Sequence, residues 1–565
     1  TIGATAATAL ALYRPRTLKC GDTFLVLDPF GNAQAVAETA EGLFHLDTRH
    51  LSCMAITIDG QCPLLLSSGI SEDNALLTID LTNPELPHGG SVLPRDTVHL
   101  RRALVLGEGA LHEHLHIHNY GAEGVAFELE LRYGADFADI FEVRGARRAR
   151  RGVRLAAEGE GPAASSFAYR GLDSVLRTTR IEYDPPPDTL HDGHARYMLR
   201  LAPGGQQTLA LAVRCGREEQ GARSEAAPAA PAVPEDLGFE GWIAHHRAWT
   251  AARAREVAHI HTSNEAFNDW LNRSRADLDM VCTPRPSGPF PYAGIPWFST
   301  AFGRDSLITA LQCLWLDPAL AGGVLRFLAA RQATETDPAR DAEPGKIMHE
   351  LRCGEMAATG EVPFGLYYGS VDATPLFVVL VAAYLGRTGD KALAREIWPR
   401  VEAALGWMEQ YGDRDRDGFL EYFRHTPEGL SNQGWKDSWD SIFHADGRLA
   451  EGPIALIEVQ AYAYAAWLGG ARVARALGRG RRAEALEARA ETLRQCFDAA
   501  FWCEDIGTYA LALDGAKQPC RVRSSNAGHV LLTGIAPAER AARVAATLLD
   551  ESSFCGWGVR TIAEG

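Results

Sequence analysis

The chain has 565 residues, 46% of them hydrophobic and 23% charged, with a formal net charge of -16. That is material for roughly two to four domains with cores of their own, and its acidic balance excludes nucleic acid and anionic membrane as partners while tolerating a neutral sugar. The eleven cysteines, odd in number and without a CxxC pair, point to a reducing, cytoplasmic compartment and exclude a zinc ribbon. No apolar run reaches the ~18 residues of a membrane span. The small apolar start at 1–12 lacks the basic region of a signal peptide.

From 19 to 213 short hydrophobic runs alternate with polar residues, as at 23–28, 53–59, 97–106, 111–118 and 125–133, and turn pairs such as Gly31-Asn32, Asp59-Gly60 and Asn83-Pro84 divide them. A period of two between such turns predicts an antiparallel β-sandwich of many strands, the first domain, over 1–235. It shows no catalytic motif. His112, His114, His116 and His118 alternate and so share one strand face; with no further acid or cysteine ligand nearby, a half-exposed polar face is expected and no metal. The stretch DFADIFEVRG at 136–145 is expected to form an acidic edge, and the basic run at 144–154 a solvated loop. The Ala- and Pro-rich segment 222–234 is the expected linker.

Beyond 236 the period becomes 3.6. Helices are predicted at 239–258, 264–281, 304–315, 318–332, 373–385, 392–411, 454–477, 483–501, 527–532 and 537–549. The run LFVVLVAAYL at 376–385 is apolar all round, as in a helix buried among helices. Long connections at 283–303, 333–370, 412–452 and 504–525 hold most of the tryptophans, histidines and acid clusters, and long connections inside a compact domain are usually functional. Short and long links in alternation predict a barrel of helical hairpins over 236–565, an (α/α) toroid whose one open face carries the chemistry.

The polar connections supply the candidate residues. In PWFSTAFGRD at 296–305, Trp297 and Phe298 suit a sugar platform beside Arg304 and Asp305, which can bond vicinal hydroxyls or hold a catalytic carboxylate; an aromatic staple and an ordinary first-turn acid fit as well. His349, Glu350 and Arg352 lie in a stretch resembling a zinc-protease helix, but Cys353 stands where the second histidine is required, so they are expected to form a polar wall. Tyr368 and Asp372 precede a helix, where Asp372 also fits as an N-cap. DRDRDG at 413–418 begins like an EF-hand loop, with Glu421 in the ninth place; Arg424 occupies the twelfth, where a bidentate acid is needed, so a solvated turn is preferred to calcium. Glu458 and Gln460, two residues apart, cannot share one helix face, so at most one points into a site. NQGWKDSWD at 432–440 packs Trp435, Lys436, Asp437, Trp439 and Asp440 into nine residues. Tryptophan faces pack on sugar C–H surfaces, and a carboxylic acid can protonate a glycosidic oxygen.

Taken in order, PWFSTAFGRDS (296–306), PGKIMHELRCGE (344–355), YYGSVDATPLF (367–377), DRDGFLEY (415–422), NQGWKDSWDSI (432–442) and IEVQAYAY (457–464) resemble the bacterial glycogen-debranching-type proteins, the amylo-α-1,6-glucosidase-like glycoside hydrolases. LLLSSGISEDNALLTIDLTNPEL (64–86) and DFADIFEVRG are similar to the β-domain that precedes the toroid in that group. The resemblance implies an (α/α)6 barrel, an inverting mechanism and neither metal nor cofactor. It implies Asp437 as general acid, with Asp440 its nearest rival. An inverting reaction needs a second carboxylate about 6.5–9.5 Å away; the resemblance puts that base near the end of the barrel, where Glu564 is the available acid. The region has fewer helices than six hairpins require, so the toroid is expected to be incomplete at its C-terminus. The expected activity is that of an exo-acting α-glucosidase on α-glucan branch stubs or short α-gluco-oligosaccharides. The same fold acting on another sugar or linkage, and a non-catalytic glycan-binding protein, are the alternatives.

Overall fold

The computed structural model describes residues 14–34, 39–88, 91–156, 161–219 and 237–564; the apolar start at 1–12 and the linker expected at 222–234 lie outside them. The chain divides into two compact units, one of Thr1–Pro286, Pro291–Thr300 and Arg352–Glu361, the other of Ser287–Phe290, Ala301–Leu351 and Val362–Gly565.

The first unit is built on antiparallel sheets. The larger has eight strands, ordered Val153–Leu155, Ala164–Arg170, Leu176–Asp184, Gln206–Glu218, Ala110–Asn119, Val98–Gly107, Leu77–Thr82 and Leu64–Ile70. A five-stranded sheet runs Thr189–His191, His194–Leu201, Val125–Gly134, Cys53–Ile58 and Ala33–Gln34. The period of two has the expected consequence. In Val125–Gly134 Phe127, Leu129 and Leu131 are buried, and in the paired strand Ala195, Tyr197 and Leu199 are. Leu77, Leu100, Leu115 and Leu209 from the larger sheet join Ile56, Leu129 and Leu199 from the smaller in one core. Each such side chain, fully buried, stabilises the fold by roughly 1.5–3 kcal/mol before entropy is counted.

Helices Gly238–Glu256 and Glu265–Val281 group with this β-rich unit. The first packs on strands Val98–Gly107 and Ala110–Asn119, with Trp242 buried against Val105. Gly107 makes room for it, since a Cβ there would lie 2.2 Å from the indole. The change of period at 236 therefore marks where helix begins, and the first two helices, like the stretches Pro291–Thr300 and Arg352–Glu361, group with the sheets.

Two expectations for this unit need correction. The basic run at 144–154 is not simply solvated, because the Arg148 side chain is buried and reaches Glu355 at 3.0 Å and Glu142 at 3.5 Å. A charge removed from water needs such partners. DFADIFEVRG is less an edge than a joint. Asp139 caps helix Ile140–Val143 in a capping box with Glu142, its other oxygen accepts from the Met356 amide at 3.0 Å, and Asp136 pairs with Arg49. Three of the four alternating histidines take separate partners: His114 stacks on Phe239, His118 on Tyr120, and His116 bonds the Thr208 hydroxyl.

The second unit is helical. Helices Gly303–Cys313, Ala373–Thr388, Ile457–Ala476 and Gly528–Thr533 each follow a long connection. Pro318–Ala330, Lys391–Gln410, Gly480–Phe501 and Ala538–Leu549 complete hairpins with them. Ala373–Thr388 packs against both Gly303–Cys313 and Ile457–Ala476, and Ile457–Ala476 against Gly528–Thr533. Being packed on several sides, Ala373–Thr388 buries Leu376, Phe377, Val378, Leu380 and Val381, which explains its all-round apolar sequence. Small ribbons, Ala301–Phe302 with Glu350–Leu351 and Ala455–Leu456 with Ala512–Leu513, tie the long connections together just before the helices begin. Among the described residues no helix is long and apolar enough to cross a membrane.

Candidate active site

The site is organised by helix N-termini. Helices Gly303–Cys313, Ala373–Thr388 and Ile457–Ala476 present polar residues in or just before their first turns: Arg304 and Asp305, Asp372, and Glu458. Gly303 is required because a Cβ there would lie 1.9 Å from the Met348 carbonyl oxygen. Asp372 stands at an N-cap position but makes no capping bond. Its carboxylate accepts from Arg304 at 3.3 Å and from the Ser370 hydroxyl instead.

Arg304 is the hub. It is 7% exposed, and its Nη1 donates to the Gly434 carbonyl at 2.8 Å as well as to Asp372, while Nη2 donates to Asp437 Oδ2 at 3.3 Å. Burial works against its charge, but Asp372, Asp305 and Asp437 more than restore it. Asp305 is pushed above the ordinary carboxyl range by burial, with Arg304 opposing. The Asp437 side chain keeps 46% of its exposure, so it can meet a ligand that buried Asp372 cannot.

The loop carrying Asp437 is pinned from below. Asn432 accepts from the Tyr422 hydroxyl at 2.6 Å and donates to Ser441 Oγ at 3.0 Å. Gln433 donates to Asp341 at 3.2 Å, and its carbonyl accepts from the Val371 amide at 3.0 Å. Gly434 passes over Leu456 and Glu458 so closely that a Cβ would meet Leu456 Cδ1 at 2.3 Å and Glu458 Oε1 at 3.3 Å. Glu458 is fully buried; Asn526 Nδ2 donates to its Oε2 at 3.0 Å, and its Oε1 has no hydrogen-bond partner among the described residues. Burial raises its pKa to about 7, opposed by Asn526 and Lys436 and reinforced by Asp372. Lys436, lowered to about 8 by burial, lies 5.1 Å from the centre of its neighbour Trp435's ring and donates to the Thr561 carbonyl at 2.8 Å.

The remaining candidates fall into three groups. Gln460 is structural: its amide clamps the backbone of Leu420 with two bonds of 2.8 Å and also reaches the Leu456 carbonyl. His349, buried edge-on against Phe302 and Tyr367, Glu350 in its short ribbon, and Tyr368, bonded to the Arg331 carbonyl at 2.7 Å, line the interior of the helical unit. Trp297, Phe298 and Arg352 belong to the β-rich unit, where Arg352 is held by Asp47 at 2.8 Å and by the Trp297 carbonyl at 2.6 Å, and Phe298 faces Arg144. Trp439 and Asp440 are exposed, and Glu564, 70% exposed, pairs with Arg560 at 2.9 Å.

Sequence reasoning missed three partners. His529 lies 5.9 Å from Trp435, ring centre to ring centre, and shares a 2.7 Å hydrogen bond with Tyr462; Asn526 holds Glu458. Burial lowers the His529 pKa, with Asp372 opposing. The polar run at 524–529, entering a helix as Arg304 and Asp305 do, was the available signal.

A buried guanidinium bonded to two carboxylates, one of them in the loop that also carries an indole and an ammonium, can bind a ligand rich in hydroxyls. Residues 18–212 match the family model of the N-terminal domain of (some) glycogen debranching enzymes, and residues 300–564 that of the mannosylglycerate hydrolase MGH1-like glycoside hydrolase domain. The chain thus joins a segment similar to the N-terminal domain of (some) glycogen debranching enzymes to a helical half similar to an MGH1-like glycoside hydrolase domain. Among solved structures it is similar to a putative kojibiose phosphorylase from the human microbiome, with 9% identity and a TM-score of 0.53 over 88% of this chain and 69% of that one. Also similar are a bacterial glucoamylase complexed with acarbose (10% identity, TM-score 0.46, 86% of this chain and 67% of that one) and a GH78 family rhamnosidase of Bacillus sp. GL1 (14%, 0.40, 79% and 38%). At such identity the phosphorylase speaks for the fold alone: a sheet-rich N-terminal domain followed by a helical domain of the (α/α)6 type. Comparison with curated protein sequences gives no match.

Proposed function

We propose that the protein is an inverting, exo-acting α-glucosidase that removes glucose from α-glucan branch stubs or short α-gluco-oligosaccharides. The observation that carries this reading is the Arg304 bridge, which brings the half-exposed Asp437 carboxylate to a buried polar cluster. Asp437 would protonate the leaving oxygen. Arg304, held in place by Asp372, and Lys436 would bind hydroxyls of the terminal sugar, and Trp435 would pack on its C–H face. The water attacking from the opposite side needs a base. Glu564 is the candidate from the sequence, and to act it must leave Arg560.

A second reading keeps the fold and changes the sugar. It is favoured by the match of the helical half to a model named for mannosylglycerate hydrolase, because a fold does not choose its substrate. One experiment separates these. The protein is incubated with α-gluco-oligosaccharides and mannosylglycerate, with and without phosphate, while proton NMR follows the first anomer released. β-Glucose from an α-glucoside supports the proposal. α-Glucose refutes inversion, a sugar phosphate refutes hydrolysis, and turnover of mannosylglycerate alone establishes the second reading.

A further inference from the structure

The acidic loop 413–421 plays no part in the sugar chemistry above. The carboxylates of Asp413, Asp415 and Asp417 each bring an oxygen within 4.8 Å of the others. The loop bends as cation loops do, with Arg416 and Gly418 at φ of +65° and +96°. Backbone amides hold the carboxylates inward: Gly418 donates to Asp413, Asp417 to Asp415, and Phe419 to Asp417. Two further oxygens, Asp413 Oδ1 and Glu421 Oε2, are buried without a hydrogen-bond partner among the described residues, on side chains only 7% and 2% exposed. Convergent carboxylates with unpartnered buried oxygens describe a site built for positive charge.

The positive charge comes from the chain itself. Lys517, in the turn after Ala512–Leu513 and itself at φ +60°, places Nζ 2.9 Å from Asp415 and 2.7 Å from Asp417 and bonds Glu421 Oε1. Arg489 reaches Asp413 from outside at 3.9 Å. Burial works against the lysine's charge, yet bonds to Asp417, Glu421 and Asp415 hold its proton more tightly than usual. We propose that Lys517 is the resident cation of the 413–421 loop, an ammonium in the place of a divalent ion, so that the loop closes without metal and removing the lysine's charge turns it into a divalent-cation site. The fit is chemical. An ammonium offers three donors to three carboxylates, whereas a calcium ion takes six to eight oxygens, more than the lysine engages. The pin also bears on the candidate site, because Gln460 seats Leu420 of the same loop on the helix that carries Glu458.

Thermal unfolding of the full chain, in EDTA and in millimolar CaCl2, tests this. The wild-type Tm should move by less than about 1 °C between the two; Lys517→Met should melt several degrees lower in EDTA and regain at least about half the loss in CaCl2. Terbium luminescence sensitised by nearby aromatics should saturate with Lys517→Met and not with the wild type. Stabilisation of the wild type by calcium overturns the proposal, as does a Lys517→Met protein indifferent to it. If Lys517→Met does not fold, Asp417→Asn serves: it should lower the Tm in a way calcium does not repair, because the lysine still occupies the loop. Repair by calcium would overturn the proposal.

Discussion

Arg304 reaches Asp437 across 3.3 Å with one nitrogen while its other is committed to buried Asp372 and the Gly434 carbonyl. A carboxylate presented by a fixed fork is held in direction as well as in distance. Asp437→Asn should lower kcat by about 10²–10⁴-fold with little change in sugar affinity, as removal of a general acid does. Arg304→Lys, which keeps the charge and loses the fork, should lower kcat/KM about tenfold or more. Steady-state kinetics with calorimetric titration of the same oligosaccharide checks both. Full activity of Asp437→Asn would move the acid to another residue.

The close passage of Gly434 over the start of helix Ile457–Ala476 leaves no room for a methyl group, since Leu456 Cδ1 would stand 2.3 Å from it. Gly434→Ala should cost about 1–3 kcal/mol and displace Asp437 enough to depress turnover. Urea unfolding measures the first effect and kcat the second. The added substitution Leu456→Ala should restore part of the activity by relieving the contact.

Glu458 makes stability depend on pH. Its folded pKa of about 7 lies above the ordinary 4.5, chiefly through burial. The folded state therefore binds more protons than the unfolded state between those values. The contribution is fully present below pH 4.5, falls as pH rises through about 7, and amounts to something on the order of 3 kcal/mol. Glu458→Gln should flatten that part of the stability–pH curve and melt higher than the wild type at pH 8. A curve of unchanged slope would mean that Glu458 is ionised in the folded protein.

In the β-rich unit Arg102 and Glu113 form a two-pronged pair, at 2.6 and 3.2 Å, with side chains 1% and 3% exposed. Arg102→Met alone strands a buried carboxylate and should cost about 3–5 kcal/mol. The double variant Arg102→Met/Glu113→Leu should recover most of it. A double-mutant cycle by chemical denaturation reads the coupling, and additive losses would refute it.

How legible this protein is from sequence depends on the range of the interaction. The change from period two to period 3.6 reports which faces are buried, and burial acts on every residue of an element. Strands such as Val125–Gly134 and helices such as Ala373–Thr388 therefore announce themselves. Arg102 and Arg148 did not: a charged residue reads as solvated until its partner is known, and their partners Glu113 and Glu355 come from another strand and from a distant segment.

The polar loops between helices were likewise visible in the sequence, because tryptophans, amides and acids do not gather where a core is to be built. Which of them meet was not. Arg304 and Asp437 are 133 residues apart in the chain, Glu458 and Asn526 68, Glu421 and Lys517 96. No local period encodes such distances. By itself the sequence determined the element types, the sheet-rich and helical halves and the segments too polar to be core. Only the tertiary structure decided that Arg304 joins Asp372 to Asp437, that Glu458 lies beneath Gly434, and that a lysine fills the acidic loop. Charges and hydrogen bonds act over a few ångströms, and it is the packing of helices already specified by their apolar faces that brings those groups within range.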